Sequence, residues 1–327
     1  MKILIVTPYR SYAGGVESYN SMIESILVDE GHEVEYLTTE GELSQSVEFK
    51  SKIYGKAYIT ASKFKEIDSE KYDLIICNGE FSMGIHHRNV INIFHGSFKG
   101  VRDFTKSQIS YKDYLSLTWQ AYLQVRDTKD KLIVTVSEFN ANQLASQGVK
   151  VDKILLNPIY TKRFKSSGQA KKGVLNISTY NEYVKGFDLL EKLSLIRDDI
   201  TCCTNVSPRF NCKWIKSTQT VDVVELYNTH EITLIPSRFE SASLVALESM
   251  SCGTPILMNR VGYALEIEKE IPEFVLDQKA LNDPQLYNER IELILNDYDR
   301  LSKLATEYVR KNHCINVFKD NFLKLIN

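Results

Sequence analysis

The stretch that most constrains this chain is Leu234-Ile-Pro-Ser-Arg-Phe-Glu240-Ser-Ala-Ser-Leu-Val-Ala-Leu-Glu248-Ser-Met-Ser-Cys-Gly253-Thr-Pro255-Ile-Leu. It reads as strand, turn, helix, turn, strand. Ile232 to Ile235 are apolar and partly β-branched, as a buried strand requires. Pro236 and Ser237 stop that strand. A helix then begins near Ser241–Ser243, whose residue types favour N-caps because a side-chain oxygen accepts an unpaired backbone N–H. Leu244, Leu247 and Met250 give the helix one apolar stripe. Gly253 suits its C-terminal stop, and Pro255 opens the next strand. Glu240 lies in the turn before the helix and Glu248 inside it. A helix N-terminus with short polar side chains and flanking carboxylates can hold an anion and its attached hydroxyls.

A second strand–turn–helix opens the chain. Residues 2–6 are an apolar strand, and the loop from Thr7 ends in Ala13-Gly14-Gly15. Val16, Tyr19, Ile23, Ile26 and Leu27 recur at helical spacing until Gly31. Doubly wound sheets bind ligands beyond the carboxyl ends of their strands, where this glycine loop falls. The loop lacks the G-x-G-x-x-G pattern, so a nicotinamide site is not supported; the glycines also suit a plain tight turn. Val34–Leu37, Asp73–Cys77, Val90–Phe94 and Leu132–Val136 read as further strands. His95 directly follows the Val90–Phe94 run, where a histidine faces the ligand cleft of such a sheet or serves only structure. His86 and His87 are sequence neighbours whose side chains point apart, so no metal site is read there.

Residues 161–172 carry Lys162, Arg163, Lys165, Lys171 and Lys172 without an acid, the composition of an exposed connection. A second set of elements follows: strand Val174–Ser178, a helix led by Lys185-Gly186, a short helix Asp222–Asn228 and strand Ile232–Ile235. Helices at Pro284–Asn296 and Asp299–Asn312 and a final helix through Val317, Phe322 and Ile326 complete it.

At 327 residues the chain has room for two domains. Its 43% apolar and 25% charged content is that of a soluble globular protein. A net charge of -2 argues against a nucleic-acid partner. The opening Met-Lys-Ile-Leu-Ile-Val is too short for a signal peptide, and no run reaches membrane-spanning length. Six scattered cysteines without C-x-x-C spacing imply free thiols in a reducing cytoplasm, with zinc a distant second. Residues 11–49 hold nine acids and no Lys or Arg, which disfavours membrane docking through the first helix. Residues 98–131 differ: seven basic residues alternate with Tyr111, Tyr114, Trp119 and Tyr122. Ordinary amphipathic helices account for this region; an acceptor or membrane-surface patch is the sharper alternative.

Pro236-Ser237, Glu240, Glu248, Gly253 and Pro255 together complete a P-S-x-x-E…E-x-x-x-x-G-x-P frame, with seven residues between the two glutamates. In this the chain resembles the family-4 retaining glycosyltransferases of the GT-B fold. Gly14-Gly15 with Glu17 resembles the family's G-G-x-E loop. Val136-Ser137-Glu138-Phe139 resembles its V-S-x-F step, Lys185-Gly186-Phe-Asp188 its K-G-x-D stretch, and Val261-Gly262 through Glu266 its x-G-G-x-x-E turn. The resemblance implies an α/β GT-B architecture of two Rossmann-like doubly wound domains facing across a cleft. The implied divisions are an acceptor-side domain at 1–160, a nucleotide-sugar-binding domain at 161–305, and a helix at 306–327 crossing back to the first.

The resemblance also implies site roles. Glu240 contacts the donor sugar hydroxyls, Glu248 the nucleotide ribose, and Lys185 the diphosphate. His95 contacts the donor sugar or the reacting phosphate. The Gly14-Gly15 loop and the helix start at Ser241, Ala242 and Ser243 hold phosphate. No cofactor or metal is implied, only a UDP-, GDP- or similar nucleotide-sugar donor and a saccharide or lipid-linked saccharide acceptor. Work in bacterial surface-polysaccharide synthesis, in the cytoplasm or at the inner face of the membrane, follows from the same likeness. Two departures stand out. Ser243 replaces a family glycine, and Thr179-Tyr180 stand where the family carries an arginine beside Lys185; Arg209, Arg238 and Arg260 are candidate substitutes. The departures leave a catalytically degenerate GT-B subunit as an alternative, and GT-B epimerase chemistry as a second one that the glutamate frame argues against.

Overall fold

The structure, a computed structural model, describes residues 1–10, 15–277 and 283–326. It divides into two compact units, one of residues 1–136 and 140–155, the other of residues 137–139 and 156–327.

In the first unit the strands are β1 (Lys2–Val6), β2 (Glu33–Leu37), β3 (Leu74–Asn78), β4 (Val90–Phe94), β5 (Leu132–Thr135) and β6 (Lys153–Ile154). They form one parallel sheet in the order β2-β1-β3-β4-β5-β6. The central strands β3 and β4 are buried at every position, as parallel strands covered on both faces must be. The edges are polar: β2 reads Glu-Val-Glu-Tyr-Leu, and both residues of β6 are exposed. Charge on an edge discourages pairing with another chain. Between the strands run α1 (Gly15–Asp29), α2 (Gln45–Tyr54), α3 (Ala57–Phe64), α4 (Phe98–Thr105) and α5 (Tyr111–Val125); α6 (Glu138–Ala145) follows β5. Ser44, Ser97 and Ser110 cap α2, α4 and α5 through their side-chain oxygens.

The second unit holds β7 (Val174–Ile177), β8 (Ile200–Thr204), β9 (Lys213–Lys216), β10 (Ile232–Ile235), β11 (Ile256–Asn259) and β12 (Val275–Leu276). Its sheet is also parallel, in the order β12-β11-β10-β7-β8-β9. That is the doubly wound order, with the winding direction reversing between β7 and β10. In the first unit the reversal falls between β1 and β3. The helices of the second unit are α7 (Phe187–Leu193), α8 (Val223–Thr229), α9 (Leu244–Ser251), α10 (Ala264–Ile267), α11 (Pro284–Asn296), α12 (Tyr298–Asn312) and α13 (Ile315–Ile326).

α9 lies against α12 in the core of this unit, where Leu247, Met250, Leu301 and Ala305 are buried. Gly253 ends α9 at φ +70°, and its carbonyl accepts from Ser302 Oγ at 2.6 Å and from Tyr298 OH at 3.1 Å. The glycine at the helix end therefore turns the chain and ties α9 to α12. Phe164 is part of the same core, so the basic stretch at 161–172 is anchored to the second unit. Among the described residues the six cysteines are free, and no helix is long and apolar enough to cross a membrane.

Candidate functional site

In the second unit two loops meet at the reversal point of the sheet. One follows β7 and carries Lys185; the other follows β10 and carries Ser237 to Ser243. Lys185 Nζ lies 2.6 Å from Glu240 Oε1, and Ser237 Oγ donates to the same oxygen at 2.9 Å. Lys185 and Glu240 are both partly buried. The loops are held together by more than this pair. Arg238 forks onto Asp188, with Nη1 2.7 Å from Oδ1 and Nη2 2.6 Å from Oδ2. Arg238 Nη1 also donates to the Tyr183 carbonyl at 2.7 Å, and Arg238 N to the Val184 carbonyl at 2.8 Å. A buried bidentate guanidinium fixes both position and angle. Gly186, at φ +70°, completes the fit: a Cβ there would lie well inside contact distance of the Pro236 carbonyl. The Lys185 loop thus rests directly on the backbone of the Pro236 turn.

Past Glu240 the chain passes Ser241 and Ala242 and enters α9. Ser243 caps α9, its side chain accepting from Ala246 N at 3.4 Å. Gly262 backs this turn. Its N–H donates to the Glu240 carbonyl at 3.0 Å, and a Cβ on it would lie 3.2 Å from Glu240 Cβ and 3.4 Å from Ser243 N. Ser137 Oγ donates to the Ser241 carbonyl, and Glu266 Oε1 accepts from Glu138 N at 2.6 Å. The first-turn amides of α9 and the Lys185 ammonium therefore sit on one rigid set of turns, an arrangement that stabilises negative charge.

Glu248 lies one turn further into α9, and Tyr227 OH donates to its Oε2 at 2.8 Å. Burial pushes the Glu248 carboxyl above its usual value, while the Tyr227 hydroxyl draws it back down. Tyr227 is fully buried on α8. Its carbonyl accepts from Thr254 Oγ1 at 2.5 Å, and Thr254 Oγ1 in turn accepts from Lys171 Nζ at 2.5 Å. Burial lowers Lys171 to about 8.

In the first unit His95 follows β4 and Gly15 opens α1; Gly14 and Ala13 lie outside the described residues. His95 Nε2 is 2.9 Å from Asn78 Oδ1. The Asn78 amide is fixed in turn, because its Nδ2 donates to the Val6 carbonyl at 3.3 Å and to Asn20 Oδ1 at 3.2 Å. Asn78 Oδ1 must then accept, so His95 carries its proton on Nε2 and presents Nδ1 as an acceptor. The Tyr19 ring meets the imidazole edge-on at 4.7 Å, and burial lowers the His95 pKa to about 4. A cavity of about 440 Å³ adjoins the carboxyl ends of these strands, lined by Tyr9, Tyr54, Lys56, Glu80, Phe98 and Gln120 among others. Burial raises the Glu80 carboxyl above its usual value.

Of the candidate substitute arginines, Arg238 is committed to Asp188 and Arg260 pairs with Glu268 at 2.9 Å, while Arg209 is exposed in the loop after β8. Tyr227 and the Asp188–Arg238 pair escaped the sequence reading. Asp188 stood in the K-G-x-D stretch and Arg238 inside the frame, but only the fold shows that they meet. Among the described residues no group of three or more His, Cys, Asp or Glu could hold a metal ion.

This fold and these turns define a class. Residues 203–312, which include Glu240, Ser243 and Glu248, match the family model described as "Glycosyl transferases group 1". The whole chain has the GT-B fold of solved glycosyltransferases. WaaG, a glycosyltransferase involved in lipopolysaccharide biosynthesis, superposes with a TM-score of 0.72 over 99% of both chains at 16% identity. HepE from Anabaena, solved in complex with UDP-glucose, superposes with a TM-score of 0.65 over 100% of this chain and 99% of its own at 14% identity. In sequence the chain is similar to the D-inositol 3-phosphate glycosyltransferase of Thermobispora bispora, 32% identical over 90 residues, which are 27% of this chain. The match spans 20% of that relative's length.

Proposed function

We propose that the protein is a retaining, metal-independent glycosyltransferase of family 4. It moves a sugar from a nucleotide-diphosphate donor to a saccharide or lipid-linked saccharide acceptor, in surface-polysaccharide synthesis at the cytoplasmic face of a membrane. The observation that carries this reading is the Lys185–Glu240 pair, held at 2.6 Å beside the N-terminus of α9 at the reversal point of a doubly wound sheet. A nucleoside diphosphate leaving group gains negative charge as its bond to the sugar breaks. Lys185 has three N–H donors and gives one to Glu240, which leaves others for phosphate oxygens. The free amides of the first turn of α9 supply the remainder. Glu240 fixes the ammonium and accepts from sugar hydroxyls through its second oxygen. Glu248, with one oxygen taken by Tyr227, offers the other to the ribose. In the first unit His95 Nδ1, an acceptor, suits a hydroxyl O–H rather than a phosphate oxygen. In the transfer itself the acceptor oxygen bonds to the anomeric carbon as the carbon–phosphate-oxygen bond breaks on the same face. The acceptor proton goes to the departing phosphate.

The donor is a UDP or GDP sugar, a choice supported by the UDP-glucose bound to HepE. The acceptor saccharide enters the aromatic cavity beside Tyr9, Tyr54 and Phe98. A thermal-unfolding screen against UDP- and GDP-sugars tests the reading. At a hundredfold excess over Kd, one of them stabilises the protein by about 2.7 kcal/mol. If no nucleotide sugar or nucleoside diphosphate shifts the transition, the donor site is wrongly assigned.

A further inference from the structure

α5 carries an apolar stripe that the fold leaves in solvent. Tyr111, Leu115, Trp119 and Tyr122 recur at intervals that place them on one helix face. All four are exposed, Tyr111 by 76% and Tyr122 by 55%. The buried residues Ala121, Leu123 and Gln124 mark the helix's other side. α2 adds Phe49, exposed by 65%, and Ile53 one turn later. The two helices meet where Trp119 Nε1 donates to the Ile53 carbonyl at 2.7 Å. The Trp119 ring stacks on Tyr122 at 5.4 Å and lies 6.4 Å from Tyr54. Singly exposed apolar residues are ordinary, but a joined patch of this kind marks a contact surface.

The chemistry beside the patch says what it contacts. A second cavity, of about 470 Å³, shares the wall residues Tyr54 and Met83 with the aromatic cavity. Lys50, Lys65, Arg126 and His86 line it. Its one carboxylate, Asp127, accepts from Gly84 N at 2.8 Å through Oδ2 and lies 4.0 Å from Arg126 Nε through Oδ1, one carboxylate against three cations. Among the described residues Lys50 and Lys65 form no ion pair, and Lys50 Nζ sits 5.9 Å over the Tyr58 ring. This local excess of cations contrasts with a chain whose net charge is -2.

We propose that the α2–α5 face of the first unit docks on an anionic lipid bilayer. Its Trp and Tyr side chains enter the head-group layer, and a lipid phosphate sits among Lys50, Lys65 and Arg126. Aromatic side chains with a polar tip favour that layer, and basic groups beside them draw anionic lipid. A second copy of the chain is a poorer occupant, because a two-fold contact would set the same cations against each other. The proposal rests on the lipid-linked acceptor reading for the choice of a membrane. Its α5 half falls within the 98–131 stretch that composition singles out, and the fold adds Phe49, Lys50 and Ile53 from α2 and Lys65 from the end of α3.

Vesicle co-sedimentation of the full chain tests it, with phosphatidylcholine vesicles against the same vesicles containing phosphatidylglycerol. Binding is expected to the anionic vesicles only, and to weaken as salt rises. Each cation near an anionic surface contributes about fivefold in partitioning, so K50Q/K65Q/R126Q lowers binding about a hundredfold. Y111S/Y122S lowers it as well, and both variants keep the nucleotide-sugar shift in Tm. Equal binding to both vesicle types, no binding, or a triple variant that binds as wild type would each overturn the proposal. So would a dimer in solution that Y111S/Y122S abolishes. The donor-induced Tm shift is read without lipid, so loss of one reading leaves the other intact.

Discussion

Glu248 and Tyr227 show how one hydroxyl can set a carboxylate, here the one proposed to bind the ribose. Tyr227 is buried and donates to Glu248 Oε2 at 2.8 Å. Y227F removes that donor without changing the ring that packs in the core. A single lost hydrogen bond to a charged group is worth about 1.5 kcal/mol, so donor affinity falls about tenfold while the fold persists; titration calorimetry with the stabilising nucleotide sugar measures it. His313 supports a second prediction. It is fully buried, with Nδ1 donating to the Asn157 carbonyl at 2.8 Å and Nε2 without a partner among the described residues. Burial lowers its pKa from 6.5 to about 4. Between those values the unfolded chain holds a proton that the folded chain lacks, so stability is lost as pH falls through that window. The loss is on the order of 3 kcal/mol at pH 4, and Tm measured from pH 7 to pH 4 falls less steeply in H313N than in the wild type. Glu240 and Glu248 were legible as candidates because their spacing within one βα turn is local; Lys185 stands 55 residues from Glu240 in a separate loop and was singled out only through the K-G-x-D likeness. Tyr227 was not, because nothing in a sequence reports which distant hydroxyl reaches a helix carboxylate.

The turns proposed to hold the donor depend on how two elements are fastened. The loop before α7 and the loop after β10 share the Arg238–Asp188 fork, and Gly186 lets the Lys185 loop lie on the Pro236 carbonyl. G186A combines a left-handed backbone with a clash against main chain. It destabilises by at least about 2 kcal/mol, seen as a lower Tm, and disrupts the Lys185–Glu240 pair. R238K keeps the charge but loses the planar fork, so it lowers transfer activity even where Tm changes little. The strands β1, β3, β4, β5, β7, β10 and β11 were legible because a covered parallel strand is a short apolar run. β9 was not: Lys-Trp-Ile-Lys at a sheet edge carries no such run. α2 also escaped, because none of its residues is buried and its sequence has no core stripe to show.

At the scale of the molecule, two doubly wound sheets each place their polar clusters beyond the strand ends around a winding reversal. In the second unit this assembles Lys185, Glu240 and the start of α9; in the first it aligns Asn20, Asn78 and His95. The central claim is that the first of these clusters releases a nucleoside diphosphate from a nucleotide sugar. Nucleoside diphosphate release from the donor identified by thermal shift, with wild type, K185A and E240A assayed side by side, tests that claim most directly. Release is expected from the wild type, with a loss of about 100-fold or more in each variant and Tm near that of the wild type. Release by K185A or E240A at the wild-type rate would contradict it.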